Sequence, residues 1–381
     1  MRIAVIHSFY SRSGPSGENR VVEEQIAALI DAGHQVRLFG RETDDLKGPL
    51  YGVRTGLNVM TSSGYDPSQA IEAFQPDLVH IHNLHPNFGI RWIDKLRVPS
   101  VLSIHNYRAF CSNGLLFRNG SICKDCISKG DYSAIKHSCY RESALATVPM
   151  AVSRQSFRSH VLQAVDEVIT TSELSEKVVK DLASESIRTT MIPNFVREWG
   201  APSESRDARR EWLALGRLSP EKGFLELLDE WPCDEKLSII GDGPIGTIIQ
   251  DRARHRDVSV EKSVPLEDVR LRLSQSLGLI FPSRWYEADP QVVAEAMAVG
   301  VPVISYHVNA AADIVHATGS GVAYGSKITL EEALKRVREE WLTMSSSARK
   351  TFQQRWSQSS WVNSIEALYQ RLALQGGKSA C

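Results

Sequence analysis

The chain has 381 residues, 42% of them hydrophobic and 23% charged, with a formal net charge of −1. These values fit a globular protein of about two or three domains with substantial cores. They exclude a global field that would favour nucleic acid or an anionic membrane, and no apolar run approaches the length of a membrane span.

The sequence opens on an apolar strand, Arg2 to His7, without the architecture of a secretory leader. A cytoplasmic location is the resulting expectation, and in that compartment six cysteines read as thiols or metal ligands before disulfides. The loop Ser8 to Asn19 carries Gly14 and Gly17 and leads into a helix that ends near Ala32 and is closed by Gly33. Gln35 to Phe39 is the next strand. Strand, glycine-bearing loop, helix, strand is a phosphate-binding layout of doubly wound sheets, although the G-x-G-x-x-G fingerprint is missing. Asp44 to Ser63 has no clear period and holds Gly48, Pro49, Gly52 and Gly56, so it reads as a long irregular connection with at most one short helix. Asp66-Pro67 caps and starts a helix that runs to Phe74. Strands at Asp77 to Ile81 and Pro99 to Ile104 deliver His80, His82 and Asn83, and then His105 and Asn106, to their carboxyl ends. Open parallel sheets bind ligands at that edge. A lone histidine is commonly structural, so it is the clustering that marks a site.

Cys111, Cys123, Cys126 and Cys139 punctuate a turn-rich stretch with the spacing C-x11-C-x2-C-x12-C. The stretch cannot bury much apolar surface and needs a staple. A structural zinc held by the four cysteines, with His137 as a substitute ligand, is one reading; four reduced thiols or disulfides are the others. A helical stretch from Arg141 to Ala164 follows, carrying Arg154, Arg158 and His160. It reads as a packed helix, with an interfacial, lipid-facing surface as the alternative. Asp166 to Thr170 is a strand, Glu173 to Ala183 a helix and Ile187 to Ile192 a strand. Pro193-Asn194 breaks the alternation, and Glu198 to Arg210 has the composition of a linker. A second alternating series begins at Trp212. Two parallel-sheet domains are therefore predicted, 1–195 with a cysteine-rich insertion at 105–140, and 211–355. A helical segment, 356–381, completes the chain, and its end from Gly376 to Cys381 is expected to fray.

In the second series, the strand Leu213 to Gly216 is followed by Arg217-Leu218-Ser219-Pro220-Glu221-Lys222-Gly223, and the strand Leu237 to Gly241 by Asp242-Gly243-Pro244. Leu277 to Phe281 is another strand end. Asp289 reads as an N-cap with Pro290 at the first helical position, Gln291 to Val299 carries apolar residues at helical spacing, and Gly300 and Pro302 stop the helix. Val301 to Tyr306 is the next strand. Glu287 lies in the loop and Glu295 inside the helix. The free N–H groups between them suit a phosphate, and the carboxylates suit sugar hydroxyls. On this helix alone, the plainer reading of a capped surface helix with two solvated acids is preferred.

The whole stretch shifts that balance. P-S-x-x-x-E, seven residues, then E-A-M-A-x-G-x-P-V-I, with the upstream G-R-L-S-P-E-K-G and G-x-G-P, resembles the donor-site signature of retaining group-1 glycosyltransferases. The resemblance implies the GT-B fold: α/β, two Rossmann-like domains facing across a cleft, with the last helix crossing back to the N-terminal domain. It implies a nucleotide-diphosphate sugar as co-substrate, held mainly by the C-terminal domain. A glycan, lipid-linked or small-molecule acceptor would sit mainly on the N-terminal domain. By this resemblance Glu287 meets the transferred sugar, Glu295 the nucleotide ribose, and Arg217 and Lys222 the diphosphate, while His105 lies beside the donor sugar. Gly17, Gly243, Asp289, Pro290 and Gln291 complete the donor-binding set. The chain departs from the family at Ala288-Asp289-Pro290-Gln291, where a glycine-containing turn is usual. No D-x-D motif lies at a donor loop, so no catalytic metal is implied. Nucleic acid is not an expected partner, and membrane association is expected to be at most peripheral.

The enzymatic rivals are an inverting GT-B transferase and a sugar-nucleotide 2-epimerase, for which His7, His82 and His105 are candidate bases. A rival of another class is a non-catalytic nucleotide-sugar-binding subunit. The intact set of Arg217, Lys222, Glu287 and Glu295 argues against it. Closure of the domains on the donor, hinged between Pro193 and Arg210, is a further expectation.

Overall fold

A computed structural model describes residues 1–11, 17–46, 48, 50–183, 187–199 and 211–375. Gly14, most of the expected linker (200–210) and the expected frayed end (376–381) lie outside the described residues.

The chain divides into two compact units. The first comprises Met1–Leu116, Cys123–Ile192 and Val362–Cys381, and the second Phe117–Ile122 and Pro193–Trp361. The first is built on strands β1 (Arg2–Phe9), β2 (Gln35–Glu42), β3 (Leu78–Ile81) and β4 (Ser100–Ser103). Next in the chain comes a two-stranded antiparallel hairpin that groups with the second unit, β5 (Phe117–Arg118) and β6 (Ser121–Ile122), and the first unit resumes with β7 (Glu167–Thr170) and β8 (Thr189–Met191). The six-stranded sheet has the order β2-β1-β3-β4-β7-β8, and every pairing is parallel. The second unit carries β9 (Trp212–Leu215), β10 (Leu237–Ile240), β11 (Val258–Glu261), β12 (Leu279–Phe281), β13 (Val303–Tyr306) and β14 (Gly321–Tyr324). Their order is β11-β10-β9-β12-β13-β14, again all parallel. Each sheet therefore reverses its strand order once, beside β1 and beside β9, and the crevice outside the carboxyl ends at such a reversal is where open sheets take ligands.

Helices on both faces explain the apolar strands. Ile3, Ala4, Val5 and Ile6 are essentially inaccessible, as are Leu279 and Ile280. In the second unit the helix Gln291–Ala298 packs on a core that includes Val293, Met297, Phe352 and Trp356.

Three segments depart from expectation. Asp44 to Ser63 is not irregular: it holds a short helix, Thr43–Leu46, and a longer one, Tyr51–Thr61. Gly52 and Gly56 lie inside the longer helix, where glycine normally disfavours the conformation. At Gly56 packing offsets that preference, since a Cβ there would touch the ring of Pro149 at 3.4 Å; at Gly52 no neighbour stands within 4 Å. The stretch from Arg141 to Ala164 is a helix only over Ala144–Ser156, followed by a π turn at Phe157–Val161 and a last turn at Leu162–Ala164. Arg154 faces inward, 1% exposed, so the lipid-facing reading of this stretch does not hold for it. Asp289 does not cap the helix near it. That helix begins at Gln291 with Pro290 in the N-cap position and no side-chain cap.

The last helix, Gln358–Gln375, crosses back as expected. Trp361 packs against Phe195 in the second unit, with ring centroids 5.2 Å apart. From Val362 onward the chain belongs to the first unit. There Tyr369 bonds Nδ1 of His80 at 2.6 Å, Glu366 meets His34 at 2.8 Å, and Arg371 meets Glu167 at 3.1 Å. Among the described residues no helix is long and apolar enough to cross a membrane.

Candidate active site

In the second unit three loops leave the carboxyl ends of β9, β10 and β12. The first passes through Arg217, whose side chain is exposed, and makes a 3-10 turn at Pro220–Lys222 that ends on Gly223 at φ +72°. A Cβ on Gly223 would stand 2.2 Å from the carbonyl oxygen of Pro282, so glycine is required for the first loop to lie directly on the third. The Arg284 amide donates to the Glu221 carbonyl at 2.9 Å and fastens the two loops. Gly243 also has a packing reason of its own. A Cβ there would come within 2.2 Å of the Leu218 carbonyl, and the Ile245 amide donates to that same oxygen at 3.1 Å.

This arrangement delivers Lys222 to Glu287. The ammonium donates to the two carboxylate oxygens at 3.0 and 2.7 Å, and lies 5.6 Å from the centroid of the Trp285 ring. Oε2 of Glu287 also accepts from Ser283 Oγ at 2.9 Å and from Trp285 Nε1 at 2.7 Å. Three donors thus hold one carboxylate that is 9% exposed. Glu295 lies in the helix Gln291–Ala298 and is 6% exposed.

Asp289 occupies the turn between the two glutamates. Its Oδ2 accepts from Asn194 Nδ2 and, at 2.5 Å, from Gln291 Nε2. Burial pushes its carboxyl up to about 7, with the charge of Glu287 adding to the shift; the two hydrogen bonds and Arg355 oppose it. An unfolded aspartate titrates near ~3.9, so the folded chain holds the extra proton between the two values. The stability linked to the neutral form is complete below the unfolded value and is lost as pH rises through about 7. Asp289→Asn should therefore melt higher than wild type above that pH, with the gap closing on acidification. Parallel melting curves across the range would show that Asp289 is not the titrating group.

The first unit gathers imidazoles at the carboxyl ends of β1, β3 and β4. His82 Nδ1 bonds His105 Nε2 at 3.0 Å, and the His82 ring stacks on His80 with centroids 4.0 Å apart. His7 stands edge-on to His82 at 6.2 Å and bonds Asn19 Oδ1 at 3.2 Å. Burial lowers all four, His7 to about 4 and His80 and His105 to about 3, so the rings are neutral at pH 7. Gly17 starts the helix Gly17–Asp31 and is exposed, with nothing within 4 Å of a Cβ built on it. The residue after it, Glu18, was not singled out from the sequence. Its carboxylate accepts from Asn106 Nδ2 at 3.1 Å and Tyr10 OH at 3.4 Å, and burial raises its pKa. An acid in a helix first turn reads as an ordinary dipole partner, so no local signal distinguished it.

Among the described residues no group of three or more His, Cys, Asp or Glu side chains is placed to hold a metal ion. Cys111 is buried, its thiol donates to Asn113 Oδ1 at 2.9 Å, and burial raises its pKa. Ion pairs tie this segment to the helical stretch after it. Asp131 receives Arg158 on both oxygens at 3.2 and 2.8 Å, and Arg154 at 3.1 Å. The same arginines donate to the carbonyls of Ala109, Phe110 and Asp131, which ties the two ends of the cysteine segment together.

Two six-stranded parallel sheets, with a last helix that returns to the first unit, define a GT-B class protein. The sucrose-phosphate synthase of Thermosynechococcus elongatus superposes with a TM-score of 0.72 at 18% identity, covering 98% of this chain and 100% of that one. HepE of Anabaena, solved with UDP and glucose, gives a TM-score of 0.63 at 14% identity over 97% of this chain and 100% of that one. Residues 15–198 match the model of Glycosyltransferase Family 4, and 209–340 that of Glycosyl transferases group 1. The chain belongs to the group 1 glycosyltransferases. It is 28% identical over 237 residues to TuaC of Bacillus subtilis, a glycosyltransferase named for teichuronic acid biosynthesis, which is 60% of this chain and 52% of that protein. It is 30% identical over 161 residues to the amylovoran biosynthesis glycosyltransferase AmsD of Erwinia amylovora, 40% of this chain and 43% of that one. The chain thus spans about half the length of these relatives.

Proposed function

We propose that the protein is a retaining glycosyltransferase that moves a sugar from a nucleotide-diphosphate donor to an acceptor of a bacterial cell-surface glycan or natural-product pathway. The observation that carries this reading is Glu287, held by Lys222, Ser283 and Trp285 just before the helix that contains Glu295. When the sugar leaves, negative charge grows on the diphosphate. Lys222, Arg217 and the N–H groups at the start of Gln291–Ala298 are the cationic and dipolar groups suited to offset it. Glu287, its orientation fixed by three donors, meets the transferred sugar, and Glu295 takes the ribose hydroxyls. HepE in complex with UDP-glucose supports a uridine nucleotide as the first donor to try.

The test is a thermal-shift screen against UDP, GDP, ADP and TDP, because a ligand of the native state raises its melting temperature by mass action. One nucleotide should stand out. Glu295→Gln should then weaken its binding by about 1.5–3 kcal/mol, the worth of a charge-assisted hydrogen bond. A screen with no shift, or an unchanged affinity in Glu295→Gln, counts against the assignment. Anomeric analysis of the product separates retention from inversion.

A further inference from the structure

The geometry points to His82 as a positioning residue for His105, the two imidazoles acting as one hydrogen-bonding unit in which Nδ1 is the nitrogen His105 offers to a ligand. The inference deepens the glycosyltransferase reading, on which it rests only for the ligand's identity.

The bond between His82 Nδ1 and His105 Nε2, 3.0 Å long, uses one nitrogen from each ring. Among the described residues the other two, His82 Nε2 and His105 Nδ1, have no hydrogen-bond partner; unlike Nδ1 of His7, neither is a sealed, unsatisfied atom. A neutral imidazole has one N–H and one bare nitrogen. If His82 donates across the shared bond, its Nε2 is bare and His105 Nδ1 carries a proton. If His105 donates, the roles reverse. In both cases the free nitrogens are opposite in kind, one donor and one acceptor, linked through the bond between them. Sugar hydroxyls both donate and accept, so such a pair suits a polyol and not a plain anion.

The rest of the column holds the pair still. His80 is fixed at both nitrogens, by Tyr369 OH at 2.6 Å and Ser103 Oγ at 2.8 Å. His82 stacks on it at 4.0 Å, and His105 lies edge to edge with His82, centroids 5.3 Å apart and planes only 14° apart, as a bond between two ring nitrogens requires. Burial keeps the rings neutral, which preserves the shared bond. Protonating both would set two N–H groups against each other.

The experiment uses the full chain labelled with ¹⁵N-histidine, free of ligand at neutral pH, and reads the ring nitrogens by long-range ¹⁵N–¹H correlation. His82 and His105 should each show a single neutral tautomer, related as above. In His82→Phe, which keeps an aromatic ring in the stack but removes the bond, His105 should relax to the mixture of a free imidazole. Turnover should fall about tenfold with donor KM little changed, the effect of losing one oriented hydrogen bond. His82→Asn places an amide where Nδ1 was and should restore one tautomer and most of the rate. Unchanged His105 nitrogens in His82→Phe, or a tautomer mixture in the wild type, overturns the inference. If His82→Phe does not fold, the wild type and His82→Asn decide it alone. Coupled tautomers in a protein that transfers no sugar would overturn the proposed function and leave the pairing standing.

Discussion

Lys222→Ala should lower turnover by about 10²–10³ at saturating donor, the usual cost of removing one preorganised group from developing charge. The side chain has two tasks. On the proposed reading its ammonium meets the diphosphate, and in the structure it pairs with Glu287 at 2.7 Å. On that reading, donor phosphate would compete with Glu287 for the same cation, and part of the ion pair would be exchanged on binding. Glu287→Gln should also slow the reaction, but the double variant should lose less than the product of the two single losses, because residues in direct contact are not independent. Arg217→Ala, an exposed side chain on the same loop, separates the two tasks: it removes charge without unpairing Glu287. Initial rates with the nucleotide sugar found by the screen measure all four. If Lys222→Ala and Arg217→Ala both keep the wild-type rate, the diphosphate is held elsewhere.

Asp131→Ala should destabilise the protein by about 3–5 kcal/mol, since removing one member of a buried ion pair strands the other. Arg154 is 1% exposed and would be left with carbonyl partners but no counter-charge. Arg158, 27% exposed, would lose its bidentate partner at less cost. By contrast, Cys123→Ser and Cys126→Ser, at half-buried positions, should each cost less than ~1 kcal/mol. Urea titrations of the three variants give the comparison. A cysteine change as costly as the aspartate change would restore the thiols as the staple of this segment.

The readings from sequence succeeded and failed for different physical reasons. Strands such as Arg2–Phe9 and Leu279–Phe281 were legible because a parallel strand buried on both faces is an unbroken apolar run. The loops around Arg217–Gly223 and Gly243 were legible because a required close approach leaves glycine at fixed positions. The helix Tyr51–Thr61 was not, since Gly52 and Gly56 are local breakers, and the contact that offsets one of them, Pro149 against Gly56, comes from another helix. Asp289 before Pro290 has the local form of a cap, yet its carboxylate is taken up by Asn194, 95 positions away. The cysteine spacing drew attention to this segment, but the ion pairs within it were not legible. The Asp131 to Arg154 and Arg158 contacts span 23 and 27 positions and have no local pattern at all.

The return of the last helix to the first unit sets an order of events during synthesis. Residues from Val362 onward complete a unit whose first strand begins at Arg2, and Tyr369 meets His80 across 289 positions. Domains generally fold as they emerge from the ribosome, N-terminal first. Here the first sheet emerges early, but its histidine column stays unbuttressed while the whole second unit is translated. The earlier domain thus has to wait for the later one. Contacts of such long range are slow to form and leave apolar surface open meanwhile. A released chain cut short before Tyr369 would hold every residue of the second unit and an unfinished first one.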